Sequence, residues 1–158
     1  MSAKDSFFQK IEDNASKKKA ADDAFKQEVS AFQRETYVLL TEIKGWFDGT
    51  PVQATTSTTQ ITESNKSIEV TTLTLHNGDK TLSIIPDGFY FYGVTGSLAV
   101  AIENPNSSPR TYNFSIHWKD TISEITGWVI VYGKSTNSPA KRIEFNEENF
   151  FNMISSFA

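Results

Sequence analysis

Hydrophobic positions along this chain follow two rhythms, and the change between them marks out a helical start, a stranded middle and a helical end. Over residues 5–48 apolar side chains recur at steps of three and four. Phe8, Ile11 and Ala15 open the series, it lapses at Lys18 and Asp22, and it resumes as Phe25, Val29, Phe32, Thr36, Leu39, Ile43 and Trp46. That spacing lines one face of a helix. Ser6 with Gln9 three residues later predicts its N-terminal cap. A break is expected near residues 14–16, and Asp48-Gly49-Thr50-Pro51 supplies the stop.

Further on the rhythm falls to two. In residues 111–119, Tyr112, Phe114, Ile116 and Trp118 share one side, while Asn113, Ser115, His117 and Lys119 share the other. This is a strand with one apolar face and one wet face. Similar patterns predict strands from Ser67 to Leu75, Leu82 to Ile85, Phe89 to Val94, Leu98 to Ile102, Trp128 to Tyr132 and Lys141 to Phe145. Ile68 and Val70 are out of phase with Leu73 and Leu75, which calls for a bulge or for two covered faces. The nearly continuous apolar run of residues 128–132 suits a central strand.

Asn77-Gly78 is a strong hairpin signal. Pro86-Asp87-Gly88 reads as a turn, and Gly93 with Gly96 as a bend. Residues 50–65 are rich in Thr, Ser and Gln and read as a polar connection with a short strand near residues 60–62. Residues 120–127 read as a short link with one helical turn. Asn146 caps a last helix over residues 146–157, with Phe150, Met153, Ile154 and Phe157 as its apolar stripe.

Together these predict an α+β fold: a long N-terminal helix, an antiparallel meander of five to seven strands over residues 66–145, and a short C-terminal helix. The helices pack on one face of the sheet, in one domain spanning residues 1–158. A chain of 158 residues is long enough to bury a core of this kind.

Composition narrows the chemistry. There is no cysteine, so disulfides and thiolate metal sites are excluded. The formal net charge is −4, and the Lys17-Lys18-Lys19 run sits among acids, which argues against nucleic-acid binding. No apolar run matches a signal peptide or a membrane span, so a soluble cytoplasmic protein is expected. No metal-ligand spacing, phosphate loop or nucleophile elbow occurs, and no cofactor is expected. His76 and His117 are the only histidines; each has an aspartate three residues on, Asp79 and Asp120, and these are the candidate acid–base pairs.

Aromatics make up 13% of the chain, which is what points to binding. Tyr90, Tyr92, Trp118 and Trp128, with His117, are candidate contacts on a sheet face, since Tyr and Trp are the favoured anchors of binding surfaces. The helical seam of Phe25, Val29, Phe32, Leu39 and Ile43 is either a homodimer interface or the face that covers the sheet. The leading expectation is a non-catalytic protein-interaction module of adaptor, inhibitor or immunity type, using the aromatic sheet face or the N-terminal helix. A small-ligand or carbohydrate-binding module is the first alternative. A small enzyme using His117 or His76 with a carboxylate is the second.

Overall fold

The computed structural model describes residues 2–63, 66–91, 94–120 and 122–158, and their side chains apart from those of residues 63, 66, 89–91, 94 and 95. The chain divides into two compact units, Met1–Ala31 and Phe32–Ala158. One helix, α1 (Ala3–Trp46), supplies the whole regular structure of the first unit and the opening element of the second.

In the first unit α1 runs through residues 14–16 without the expected break. Asn14, Ala15 and Ser16 are only mildly unfavourable inside a helix, so nothing there forces an interruption. The cap also differs from the Ser6–Gln9 expectation. The Ser2 hydroxyl accepts from the Asp5 amide at 3.1 Å, and the Asp5 carboxylate accepts from the Ser2 amide at 3.4 Å. That reciprocal arrangement satisfies two otherwise orphaned donors four residues earlier. Gln9 instead donates to Asp13 at 3.0 Å, one turn further along.

The second unit is a seven-stranded antiparallel sheet in strict sequence order: β1 (Gln53–Glu63), β2 (Lys66–Asn77), β3 (Lys80–Phe91), β4 (Val94–Glu103), β5 (Thr111–Trp118), β6 (Trp128–Tyr132) and β7 (Lys141–Glu144). Short links between consecutive strands permit only antiparallel neighbours, hence the meander. Residues 50–65, read as a polar connection, are largely the eleven-residue strand β1. Its Thr-rich sequence suits a half-exposed pleated surface. The Pro86-Asp87-Gly88 turn is instead an irregularity inside β3, where the register with β4 shifts between Pro86 and Gly88. A bulge tolerates a proline within a strand because one residue goes unpaired there. β2, by contrast, pairs with β1 without any shift. Its Ile68 and Val70 therefore lie opposite in phase to Leu73 and Leu75, and all four are buried. The two-covered-faces reading holds for β2, and the bulge belongs to β3.

Register places Leu75, Leu82, Ile102 and Tyr112 in one row, and Leu73, Ile84, Val100 and Phe114 in the next. These, with Leu98, Ile116 and Ile130, form the covered face. Phe32, Leu39, Leu40 and Ile43 of α1 are buried against it, and the Phe32 ring lies 6.4 Å from that of Trp128. Gly96 is what lets Phe32 in: a Cβ at that position would fall 2.2 Å from the ring. Gln33 donates its side-chain amide to the Glu69 carbonyl at 2.8 Å. That carbonyl lies on β2 beyond the point where the ladder with β3 ends, at Leu73.

The helix stops after Trp46, where Gly49 takes the left-handed conformation (φ 79°). The last helix, α2 (Glu147–Met153), starts as expected: the Asn146 side chain accepts from the Asn149 amide at 2.7 Å. It ends sooner than expected, passing into a 3-10 turn at Ser155–Phe157. Two side-chain amides hold that turn. Asn77 donates to the Phe157 carbonyl at 2.8 Å and Asn104 to the Ser156 carbonyl at 2.9 Å. Its apolar side joins Trp46, Phe47, Phe145, Phe150 and Phe151 in an aromatic cluster. No helix among the described residues is long and apolar enough to cross a membrane.

Candidate functional site

The face of the sheet opposite α1 carries an open trough of about 880 Å³. Its floor is Ala99 and Ala101 of β4 beside Asn113, Ser115 and His117 of β5 and Val131 of β6. Small side chains on β4 make the depression, because every second residue of that strand points outward and the two in the trough are Ala99 and Ala101. Lys134, Pro139 and Arg142 form its rim, and Tyr112 and Tyr132, which alternation places on the covered side, border it.

At one end the chain folds back on this face. Lys119 adopts a left-handed conformation (φ 53°), uncommon for a residue with a Cβ, and its amide donates to the Gly127 carbonyl at 3.2 Å. The reversal delivers Asp120 to the outer face, where its side chain is fully buried. One carboxylate oxygen, Oδ1, accepts from the Ile122 amide at 2.9 Å, and the other, Oδ2, accepts from Arg142 Nε at 2.7 Å. His117 Nδ1 stands 3.9 Å from Oδ2, beyond hydrogen-bond reach. That buried nitrogen has no hydrogen-bond partner among the described residues, nor has Trp118 Nε1.

Burial holds the His117 pKa below the ordinary histidine value. The Asp120 charge pulls it back up, and Arg142 pushes it down again. The imidazole is therefore kept neutral beside an ion pair already closed on itself. Tyr112 has its hydroxyl pKa raised, first by burial and then by Tyr132. The trough thus presents neutral polar groups, with Lys134 and the Asp120-bonded Arg142 as its charged lining.

The candidate residues do not converge. His117 lies on the outer face. Trp118 and Trp128 pair across β5 and β6 with centroids 4.9 Å apart, on the covered face beside Phe32. The side chain of Tyr90 and all of Tyr92 lie outside the described residues. Of the seam, Phe32, Leu39 and Ile43 are buried in the second unit, while Phe25 and Val29 of the first are half-buried. His76 is exposed on β2, and Asp79 accepts from Asn106 at 3.0 Å. His117 and Asp120 do meet, but as neighbours of an Arg–Asp pair rather than as a base and its orienting acid. Arg142 is the residue that sequence reasoning missed: it lies 22 positions from Asp120 with no local pattern linking the two. Among the described residues no three His, Asp or Glu side chains are grouped to hold a metal ion.

Two surface features stand apart from the trough. On the first unit, Phe7 is 63% exposed, and Phe8 and Ile11 are each 50% exposed. On the second unit, β1 forms one edge of the sheet. No protein-family model, curated protein or solved structure matches this chain.

Proposed function

We propose that the protein is a non-catalytic interaction module, of adaptor, inhibitor or immunity type, whose Met1–Ala31 unit docks into an apolar groove on a partner protein. The observation that carries this is the exposure of Phe7, Phe8 and Ile11 on a unit that has a single helix and no second element of its own to cover them. An amphipathic helix gains most of its stability by burying its apolar side, and laying that side into a groove is a recurrent mode of recognition. Charge favours a protein as the occupant. The unit has six lysines and six carboxylates, so it offers no net field to a phosphate backbone or an anionic bilayer.

The test uses the full chain as bait in native extract, beside a variant carrying Phe7→Ser, Phe8→Ser and Ile11→Ser. The expected result is a stoichiometric protein complex with the natural chain that the variant loses while keeping the same thermal unfolding of the sheet. Equal capture by both chains overturns the proposal. So does a failure to capture any protein when a metabolite screen yields a ligand.

A second reading, a small-ligand or carbohydrate module, is favoured by one observation: the trough floored by Ala99 and Ala101, with Asn113, His117 and Arg142 beside them. It predicts that a binding sugar or metabolite shifts the NMR resonances of Ala99, Ala101 and Ser115. A panel that moves none of them removes this reading.

A further inference from the structure

We propose that β1 is a self-pairing edge: the outer side of Gln53–Glu63 takes the same strand of a second copy, antiparallel about a two-fold axis, and joins two sheets into one. The two edges of this sheet are built differently. β7 is four residues long and carries Lys141, Arg142 and Glu144. Short length and charge are the usual ways in which a sheet edge is kept from pairing with another chain. β1 has neither. It is eleven residues long, contains no proline, and holds an unbroken register with β2 through all eleven pairs. From Gln53 to Thr62 it carries no charge. Residues 55–60 are exposed, so no described residue covers that stretch.

Charge and sequence select the occupant. A charged strand would lose hydration against this edge and gain no counter-charge. A second copy brings no charge from Gln53 to Thr62, and the strand's only carboxylate, Glu63, falls at the far end of the overlap, opposite Gln53. Full overlap of the two strands puts the two-fold axis at Thr58. Thr58 then faces itself, Ser57 faces Thr59, Thr56 faces Gln60 and Thr55 faces Ile61. Thr–Thr and Thr–Ser neighbours across strands are favourable, and β-branched residues suit the pleat. Antiparallel ladders give about one backbone hydrogen bond per facing pair, so the full overlap supplies about as many as a typical protein interface carries. A symmetric pair of this kind closes at two copies and leaves β7 as the outer edge of each sheet.

The test is the absolute mass of the full chain in solution across a range of concentrations, for the natural protein and for Thr58→Lys and Thr58→Glu. The natural chain is expected to dimerise. Each variant alone sets like charges opposite each other at the axis and should weaken the dimer several-fold, with an unchanged circular dichroism spectrum. Mixing the two variants should restore a dimer that contains one of each. The Phe7→Ser, Phe8→Ser, Ile11→Ser chain should dimerise as the natural one does. A monomer at every concentration overturns the proposal. So does a dimer that survives both single substitutions, a mixture that fails to pair, or a dimer lost with the helix variant.

Discussion

At the scale of single residues, the informative group is His117 with Asp120 and Arg142. The sequence shows an aspartate three positions after a histidine, and that much of the geometry was readable. The rest was not. Whether the two groups form a functional pair depends on what else reaches the carboxylate, and Arg142 comes from a strand two connections away. The consequence is testable through pH. His117 has a folded-state pKa below its unfolded value, chiefly because burial disfavours the charged ring. Its contribution to stability is therefore fully present above the unfolded value of about 6.5 and is lost as pH falls toward the folded value. Replacing Arg142 by Met removes one of the opposing charges and leaves Asp120 to attract a proton onto the ring. In Arg142→Met the His117 pKa should rise, as read by NMR titration of the imidazole. Urea midpoints should then fall less between pH 7.5 and 5.5 than in the natural chain. At neutral pH the variant should lose about 3 kcal/mol, because the buried Asp120 carboxylate is left without its ion-pair partner. An unmoved His117 titration would show that Asp120 does not govern the ring.

At the scale of elements, legibility tracked burial. β5, β6 and the second half of α1 each pack an apolar face on a core, so their periodicity is strong and they appeared where expected. β1 was read as a connection because its position at an edge leaves it little to bury. Apolar alternation records a strand's burial, not its pairing, and a ladder made by threonines leaves almost no such trace. The Pro86 irregularity misled for the opposite reason. Turn residues also serve bulges, and only the partner strand distinguishes the two. The packing of α1 on the sheet depends on one backbone position. Gly96→Ala puts a methyl 2.2 Å from the fully buried Phe32 ring, and neither strand nor helix can yield easily. Chemical denaturation should find about 1–3 kcal/mol lost by overpacking. Pairing it with Phe32→Leu should recover part of that loss, since the two changes share one volume and so are not additive. A neutral Gly96→Ala would mean that α1 is free to shift along β4.

At the scale of the whole molecule, the division into Met1–Ala31 and Phe32–Ala158 sets a gradient of stability along a single helix. Phe32, Leu39, Leu40 and Ile43 tie the second part of α1 to the sheet. The stretch around Phe7, Phe8 and Ile11 is exposed and belongs to a unit with no core, and a helix without packing is marginal in water. Hydrogen exchange should therefore separate two regimes. Amides of residues 6–20 should exchange through local opening, orders of magnitude faster than those of residues 36–46. Leu82, Ile84, Val100 and Ile116 in the middle of the sheet should exchange only with global unfolding. The same experiment bears on docking. A partner that seats the Phe7–Phe8–Ile11 face must slow exchange across residues 6–20, while the sheet amides keep their rates apart from those at the β1 edge. A bound partner that slows only the trough residues Ala99, Ala101 and Ser115 would shift the recognition surface from the helix to the sheet.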